Sequence, residues 1–301
     1  MTDTADPNGT QTSSRFRAWL AVLSIAMAAF VVITTEFLPV GLLATIAADT
    51  HVSVGTAGLM IALPGLIAAI AAPAAAMFAN NHDRKHLLIG FATLVMVSNV
   101  LVALSSSFGM ILLARSLLGV SVGGFWTFAV AAARKLVPEA SGARATTMVI
   151  SAVSIGTVVG VPVSTALGTL YGWRFAFVSV AALAALTAVA QFLLLSPLPS
   201  PEPVSLRSMM RLFKIPLMRF GFIASALTAS GHFAAYTYLQ PLLSERFGLS
   251  PTRVIWVLVA YGVAGIFGTF IAEHTTSRDL RRTFIGVLSS WAWRLQSRLV
   301  E

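Results

Sequence analysis

The chain of 301 residues carries about eight runs of roughly 20 residues in which charged side chains are almost absent. Each run is long enough, at 1.5 Å of rise per residue, to cross a hydrocarbon core of about 30 Å. None shows the strict alternation of a membrane barrel strand, and a helix satisfies its own backbone in lipid, so the runs read as helices. Composition agrees: 57% of residues are hydrophobic and 10% charged, against roughly 25% charged in a soluble domain. The fold class predicted is an all-α membrane protein.

The runs are predicted at approximately Ala18 to Ala44, Gly55 to Phe78, His86 to Leu104, Phe108 to Ala133, Ala145 to Leu170, Phe175 to Leu195, Leu217 to Leu243 and Val254 to Ala272. The first exceeds the roughly 7 to 15 residues of a signal-peptide core and reads as an uncleaved span. Residues 1–14 are polar and read as a disordered tail. Basic residues alternate between the two sides. Arg15, Arg17, Arg84, Lys85, Arg134, Lys135, Arg144, Arg207, Arg211, Lys214 and Arg219 fall on one side, with Arg278, Arg281 and Arg282; Arg174, Arg246 and Arg253 fall on the other. The positive-inside rule then puts the N-terminus and the connection at 196–216 in the cytoplasm of a multi-pass plasma-membrane protein.

That connection begins SPLPSPEP and reads as a linker between a six-helix bundle at 15–195 and a second unit starting at 217. An internal repeat supports the division. HDRKHLLIG at 82–90 corresponds to RDLRRTFIG at 278–286, and Gly65 to Gly262, at offsets of 196 and 197 residues. Parallel repeats of this kind place a solute site between halves near the midplane. The second unit is expected to be incomplete: spans 7 and 8 at 217–273, then at 274–301 a basic loop and an amphipathic or aborted ninth helix, where Arg294, Gln296 and Arg298 interrupt the apolar pattern.

The formal net charge of +9 is scattered between spans rather than gathered in a patch, so nucleic acid is not an expected partner. Cysteine is absent, which excludes disulfides and a thiolate nucleophile. His51, His82, His86, His232 and His274 lack metal-ligand spacing, and no phosphate-cradling Gly-Lys-Ser/Thr loop occurs. No metal, cofactor or enzymatic activity is expected.

Apart from Arg219 at the start of the seventh run, two charges lie inside the runs. Glu36, in ITTEFLPVGLL, sits in the outer part of the first span. A carboxylate there costs about 2.5–3.5 kcal/mol on insertion scales and should face a cavity or a partner, where it can alternate between protonated and charged forms. It reads as a carrier of a coupling proton or a solute contact, or else as a structural acid bonded to hydroxyls. Arg115 opens RSLLGVSVGGFW in the fourth span and needs a partner on the same grounds, unless it snorkels to the interface. Gly119 and Gly123 follow at four-residue spacing, which lets another helix approach closely. In the fifth span Gly156, Gly160 and Pro162 combine tight packing with a helix bend. His232, Tyr236, Tyr238 and Gln240 in the seventh span, with Phe125 and Trp126 in the fourth, are the candidate solute-binding residues.

RSLLGVSVGG and GVPVSTALG resemble the fourth- and fifth-span motifs of the major facilitator superfamily, and TTEFLPVGLL, GGFW, YGWRFAF and HFAAYTYLQP resemble its drug:proton antiporter branch, near the bacterial purine ribonucleoside and sugar efflux permeases. The resemblance covers about residues 16 to 286. It implies alternating access between two six-helix halves, with proton influx driving export of a small organic solute across the lipid bilayer. The chain departs from the family's loop motif after the second span at Ala76, Asn80, Asn81 and Asp83, keeping Arg84 and Lys85, so gating is expected to be rewired around Asp83. A full member has about twelve spans. A complete chain is therefore expected to act as a monomeric proton-coupled exporter of a nucleoside, sugar or drug-like solute; the alternative is a truncated membrane protein of the same lineage that does not transport.

Overall fold

A computed structural model describes residues 7–78, 82–199 and 206–276. The described elements are helical throughout. Helix α1 (Pro7–Phe37) passes into a 3-10 turn (Leu38–Leu42) and a short α2 (Leu43–Asp49); α3 (Val54–Ala57) leads into α4 (Leu59–Phe78). Then follow α5 (Arg84–Leu104), α6 (Phe108–Lys135), α7 (Gly142–Tyr171) and α8 (Trp173–Leu194), and after the linker α9 (Leu206–Leu212), α10 (Pro216–Thr237), a three-residue α11 (Leu239–Pro241), a π turn (Leu242–Arg246) and α12 (Pro251–Thr276).

Helix α1 starts inside the stretch read as a tail, at Pro7, whose fixed φ suits the first helical position. The linker likewise contains the short helix α9. The repeat segment 278–286 and the expected ninth helix lie outside the described residues.

Local chemistry sets the helix ends. Ser107 caps α6, its hydroxyl accepting from the Met110 N–H at 3.4 Å, and Arg134 and Lys135 close the same helix, where cations complement the carbonyl end. Between α7 and α8 the chain reverses at Gly172, whose φ of 89° lies in the region that a side chain resists.

Among the described residues six helical segments are long and apolar enough to cross a membrane: Arg15–Asp49, Val54–Met77, Arg84–Leu104, Phe108–Lys135, Glu139–Tyr171 and Trp173–Leu194. They match the first six predicted spans. The seventh and eighth also form helices; Arg219, Ser225, Thr228, Ser230 and His232 dilute the apolar run of α10, and among the described residues of α12 an apolar stretch covers Thr252–Gly265.

The six helices form one bundle. α4 packs on α6, α5 on α6 and α8, and α1 on α7 and α8. A Cβ on Gly119 would lie 2.6 Å from the Pro64 carbonyl, and one on Gly123 2.6 Å from the Ala68 carbonyl, so these two glycines are what lets α4 lie against α6. Gly156 does the same for α7 on α1, where a Cβ would meet the Phe30 carbonyl at 3.2 Å. The second unit joins the bundle through α12 on α7, with Gly262 against Val158, and through a second apolar cluster of Phe37, Val40, Leu43, Tyr236, Val254 and Leu258. The two units meet at the end of the bundle opposite the linker. Towards the linker, α10 stands exposed from Pro216 to His232.

Candidate functional site

Glu36 occupies the last turn of α1, just before Pro39 converts the helix to a 3-10 turn. Arg115 comes to this point from α6. It is completely buried, and its guanidinium donates to three main-chain oxygens: Nη1 to Thr35 at 2.9 Å, Nη2 to Glu36 at 3.2 Å and Nε to Met60 at 2.8 Å. It does not snorkel. Carbonyls at the C-terminal end of a helix carry the negative end of its dipole, so the Thr35 and Glu36 oxygens suit a cation.

The Glu36 carboxylate is partly exposed, and among the described residues no hydrogen bond or ion pair reaches it. Beside it, Asn99 of α5 donates through Nδ2 to Thr35 Oγ1 at 3.2 Å and to the Val95 carbonyl at 2.9 Å, and its own Oδ1 has no partner. Asn99 carries no charge and so gave no intramembrane signal of the kind that singled out Glu36.

One residue beyond Glu36, Phe37 reaches the second unit. Its ring stacks on Phe233 with centroids 5.6 Å apart and meets the Tyr236 edge at 5.5 Å. Tyr236 in turn stacks on His232 at 5.9 Å and on Tyr261 of α12 at 5.2 Å. The structure thus brings His232 and Tyr236 into an aromatic group whose other members, Phe37, Phe233 and Tyr261, were not singled out from sequence; Glu36 directly precedes Phe37 in the chain. A phenylalanine in a hydrophobic run looks like packing whichever way it faces.

The remaining candidates lie elsewhere. Tyr238 donates its hydroxyl to the Gly55 carbonyl at 3.3 Å, bridging the units at the turn before α4. Gln240 is partly buried, with Oε1 unpartnered. Trp126 is partly buried and touches both apolar clusters, whereas Phe125 is buried in the bundle and packs edge-on against Trp126 at 5.2 Å.

Asp83, Arg84 and Lys85 form a different arrangement at the linker end. Asp83 Oδ1 accepts from the Lys85 N–H and from the Leu198 N–H, both at 2.8 Å, and the Arg84 N–H donates to the Leu198 carbonyl at 2.9 Å. The Arg84 side chain is buried, and Lys85 Nζ lies over the Phe192 ring at 5.5 Å. In α7, buried Pro162 sits beside Thr165, whose hydroxyl donates to the Val161 carbonyl at 2.9 Å and approaches the Gly41 carbonyl at 3.4 Å; Gly160 faces Thr34.

The family model of the Major Facilitator Superfamily matches residues 25–293. The chain belongs to that superfamily. Among its relatives, "Transcription regulatory protein OpdE" of Pseudomonas aeruginosa is 34% identical over 289 residues, covering 95% of this chain and 71% of that protein. "Purine ribonucleoside efflux pump NepI" of an Escherichia coli O6:K15:H31 strain is 32% identical over 268 residues, covering 89% and 68%. Superfamily members are also its structural neighbours. The inward-facing, unoccupied structure of a bacterial homologue of the human lysosomal transporter Spinster superposes with a TM-score of 0.75 at 19% identity over 88% of this chain, which spans 64% of that protein's length. The D-xylose-proton symporter gives 0.61 at 18% identity, covering 87% and 68%. The chain is a multi-pass membrane protein of a transporter family, not an enzyme.

Proposed function

We propose that this protein exports a small organic solute in exchange for protons. The observation that carries the reading is the Glu36 carboxylate. Among the described residues it has no hydrogen bond or ion pair, and it directly precedes Phe37, whose ring joins the aromatic group that both units build together. A group there can take a proton when the site faces one side and release it when the site faces the other, while the rings of Phe37, Tyr236 and His232 offer stacking surface to a planar solute. The kinship with a purine ribonucleoside efflux pump supports a nucleoside-like solute.

The positive-inside pattern supports a cytoplasmic N-terminus and linker. With the units touching at the opposite end, the space between them then opens inward. Gly119, Gly123, Gly156, Gly160 and Pro162 pack the first unit tightly enough to move as one body, and Asp83, Arg84 and Lys85 hold the linker end during that motion.

The test is uptake of labelled purine nucleosides, sugars and cationic dyes into sealed inverted vesicles carrying this protein under an imposed pH gradient. Glu36→Gln is expected to abolish gradient-driven accumulation while preserving solute counterflow. Accumulation by Glu36→Gln at the wild-type rate would sink the proton-coupling reading, and saturable flux indifferent to the gradient would replace exchange with facilitated diffusion.

A further inference from the structure

In an α-helix the carbonyl of residue i is paired by the N–H of residue i+4, and proline has no N–H to give. Two of the three carbonyls that Arg115 binds stand four residues before a proline. The α-helical partner of Thr35 would be Pro39, and that of Met60 would be Pro64. The third, at Glu36, lies where α1 gives way to the 3-10 turn. A single side chain therefore supplies hydrogen bonds that two prolines on two different helices withhold.

Arginine suits this task and lysine does not. The guanidinium presents five donors in a rigid plane, so Nε and Nη1 can reach carbonyls on separate helices at once, whereas an ammonium is a point charge on a flexible stem. Complete burial sharpens the argument, because a desolvated cation persists only when its donors are used. The nearest acid provides no ion pair; what Arg115 takes from Glu36 is the main-chain oxygen.

We propose that Arg115 is a positioning residue that supplies the hydrogen bonds withheld by Pro39, where α1 ends, and by Pro64, inside α4. By holding the Thr35 and Glu36 carbonyls it sets the direction in which the Glu36 carboxylate leaves the helix. The hydrogen-bond part stands on geometry alone; the effect on transport rests on the reading of Glu36 as the coupling group.

The experiment is a set of cycles that pairs Arg115→Leu with Pro39→Ala and Pro64→Ala, read first as the folded, monodisperse fraction after heating in detergent. Arg115→Leu alone is expected to lower that fraction about tenfold, and Arg115→Lys nearly as far. Returning the two missing N–H groups should recover it, so that the triple variant lies within about twofold of Pro39→Ala/Pro64→Ala. Equal losses from Arg115→Leu in both backgrounds would overturn the proposal, as would a triple variant that fails to fold where the double-proline variant folds.

The second readout is the pH profile of gradient-driven uptake. The folded triple variant is expected to keep counterflow and to show a displaced profile, because the carboxylate is no longer held. An unchanged profile would overturn the positioning role. If Glu36→Gln itself leaves uptake intact, the coupling reading fails while the stability cycles still decide whether Arg115 supplies the hydrogen bonds that the two prolines withhold.

Discussion

Phe37 and Phe233 stand 196 residues apart, the offset between the similar segments HDRKHLLIG and RDLRRTFIG, and their rings stack with centroids 5.6 Å apart and planes 4° from parallel. Residues at matching places in two repeats can touch each other only near the axis that relates the repeats. The residues that precede them are Glu36 and His232, so each unit contributes an ionisable side chain followed in sequence by a phenylalanine. Together with Tyr236 this stack closes the space between the units at the end away from the linker.

Breaking the stack should therefore loosen that end. An aromatic pair contributes about 0.5–1.5 kcal/mol beyond its buried area, enough for a change of roughly 2- to 10-fold in an opening equilibrium. The chain has no cysteine, so a single cysteine at Ile33 reports without background. Phe37→Ala and Phe233→Ala are each expected to raise its maleimide labelling from the closed side by that factor. The double variant should gain little more than either single one. Strictly additive increases would show that the two rings act independently.

At the same end of the bundle Arg174 donates to Asp49 at 2.7 Å, and both side chains are close to half exposed. An ion pair this open is worth at most about 1 kcal/mol. Arg174 also lies over the Trp173 ring at 4.2 Å and donates to the Ser105 carbonyl at 3.2 Å, tying the start of α8 to the end of α5. Arg174→Ala is therefore expected to lower thermal stability in detergent more than Asp49→Asn, by about 1–2 kcal/mol against less than 1. Raising the salt should erase most of the Asp49→Asn effect and little of the other. Equal losses with equal salt dependence would assign the whole effect to the ion pair.

The helices themselves were legible because hydrocarbon imposes a length and bars charge; the first six predicted spans coincide with six helical segments to within a few residues at most ends. Glu36 and Arg115 were legible for the same reason. Other features were hidden by their chemistry. The partners of Arg115 are main-chain oxygens, which no side-chain pattern displays, although Pro39 and Pro64 mark where such oxygens lose their helical donors. Phe37 and Phe233 look like any lipid-facing or packing phenylalanine until the two units are placed side by side.

Close packing of α4 on α6 yields a prediction with an internal control. A side chain on Gly123 would press on the backbone at Ala68 and Ala72, 2.6 and 2.8 Å from its Cβ. Gly123→Val should cost about 1–3 kcal/mol of stability, since backbone cannot move aside as a flexible side chain can. Gly65 on the neighbouring helix has nothing within 4 Å of the same position. Gly65→Ala should be neutral or stabilise by about 0.5–1 kcal/mol through helix propensity. Unfolding midpoints of the two variants in one detergent give the comparison; a Gly123→Val protein as stable as wild type would mean that α4 and α6 tolerate a wider separation.

Asp83 separates a charge role from a hydrogen-bond role. Its Oδ1 accepts from the Lys85 N–H, capping α5, and from the Leu198 N–H, fastening the chain as it leaves α8. Asparagine keeps that oxygen and loses the charge; alanine loses both. If the clasp is the working part, Asp83→Asn should resemble wild type and Asp83→Ala should release the start of the linker, at a cost of about 1 kcal/mol for the cap alone. Limited trypsin digestion reads this directly, because Arg207, Arg211 and Lys214 follow the clasp. Cleavage there is expected to accelerate about fivefold in Asp83→Ala and to change less than twofold in Asp83→Asn. Should Asp83→Asn be cut as fast as Asp83→Ala, the carboxylate charge and not its hydrogen bonds would govern this end of the bundle, and gating through charge pairs would become the better account of the loop.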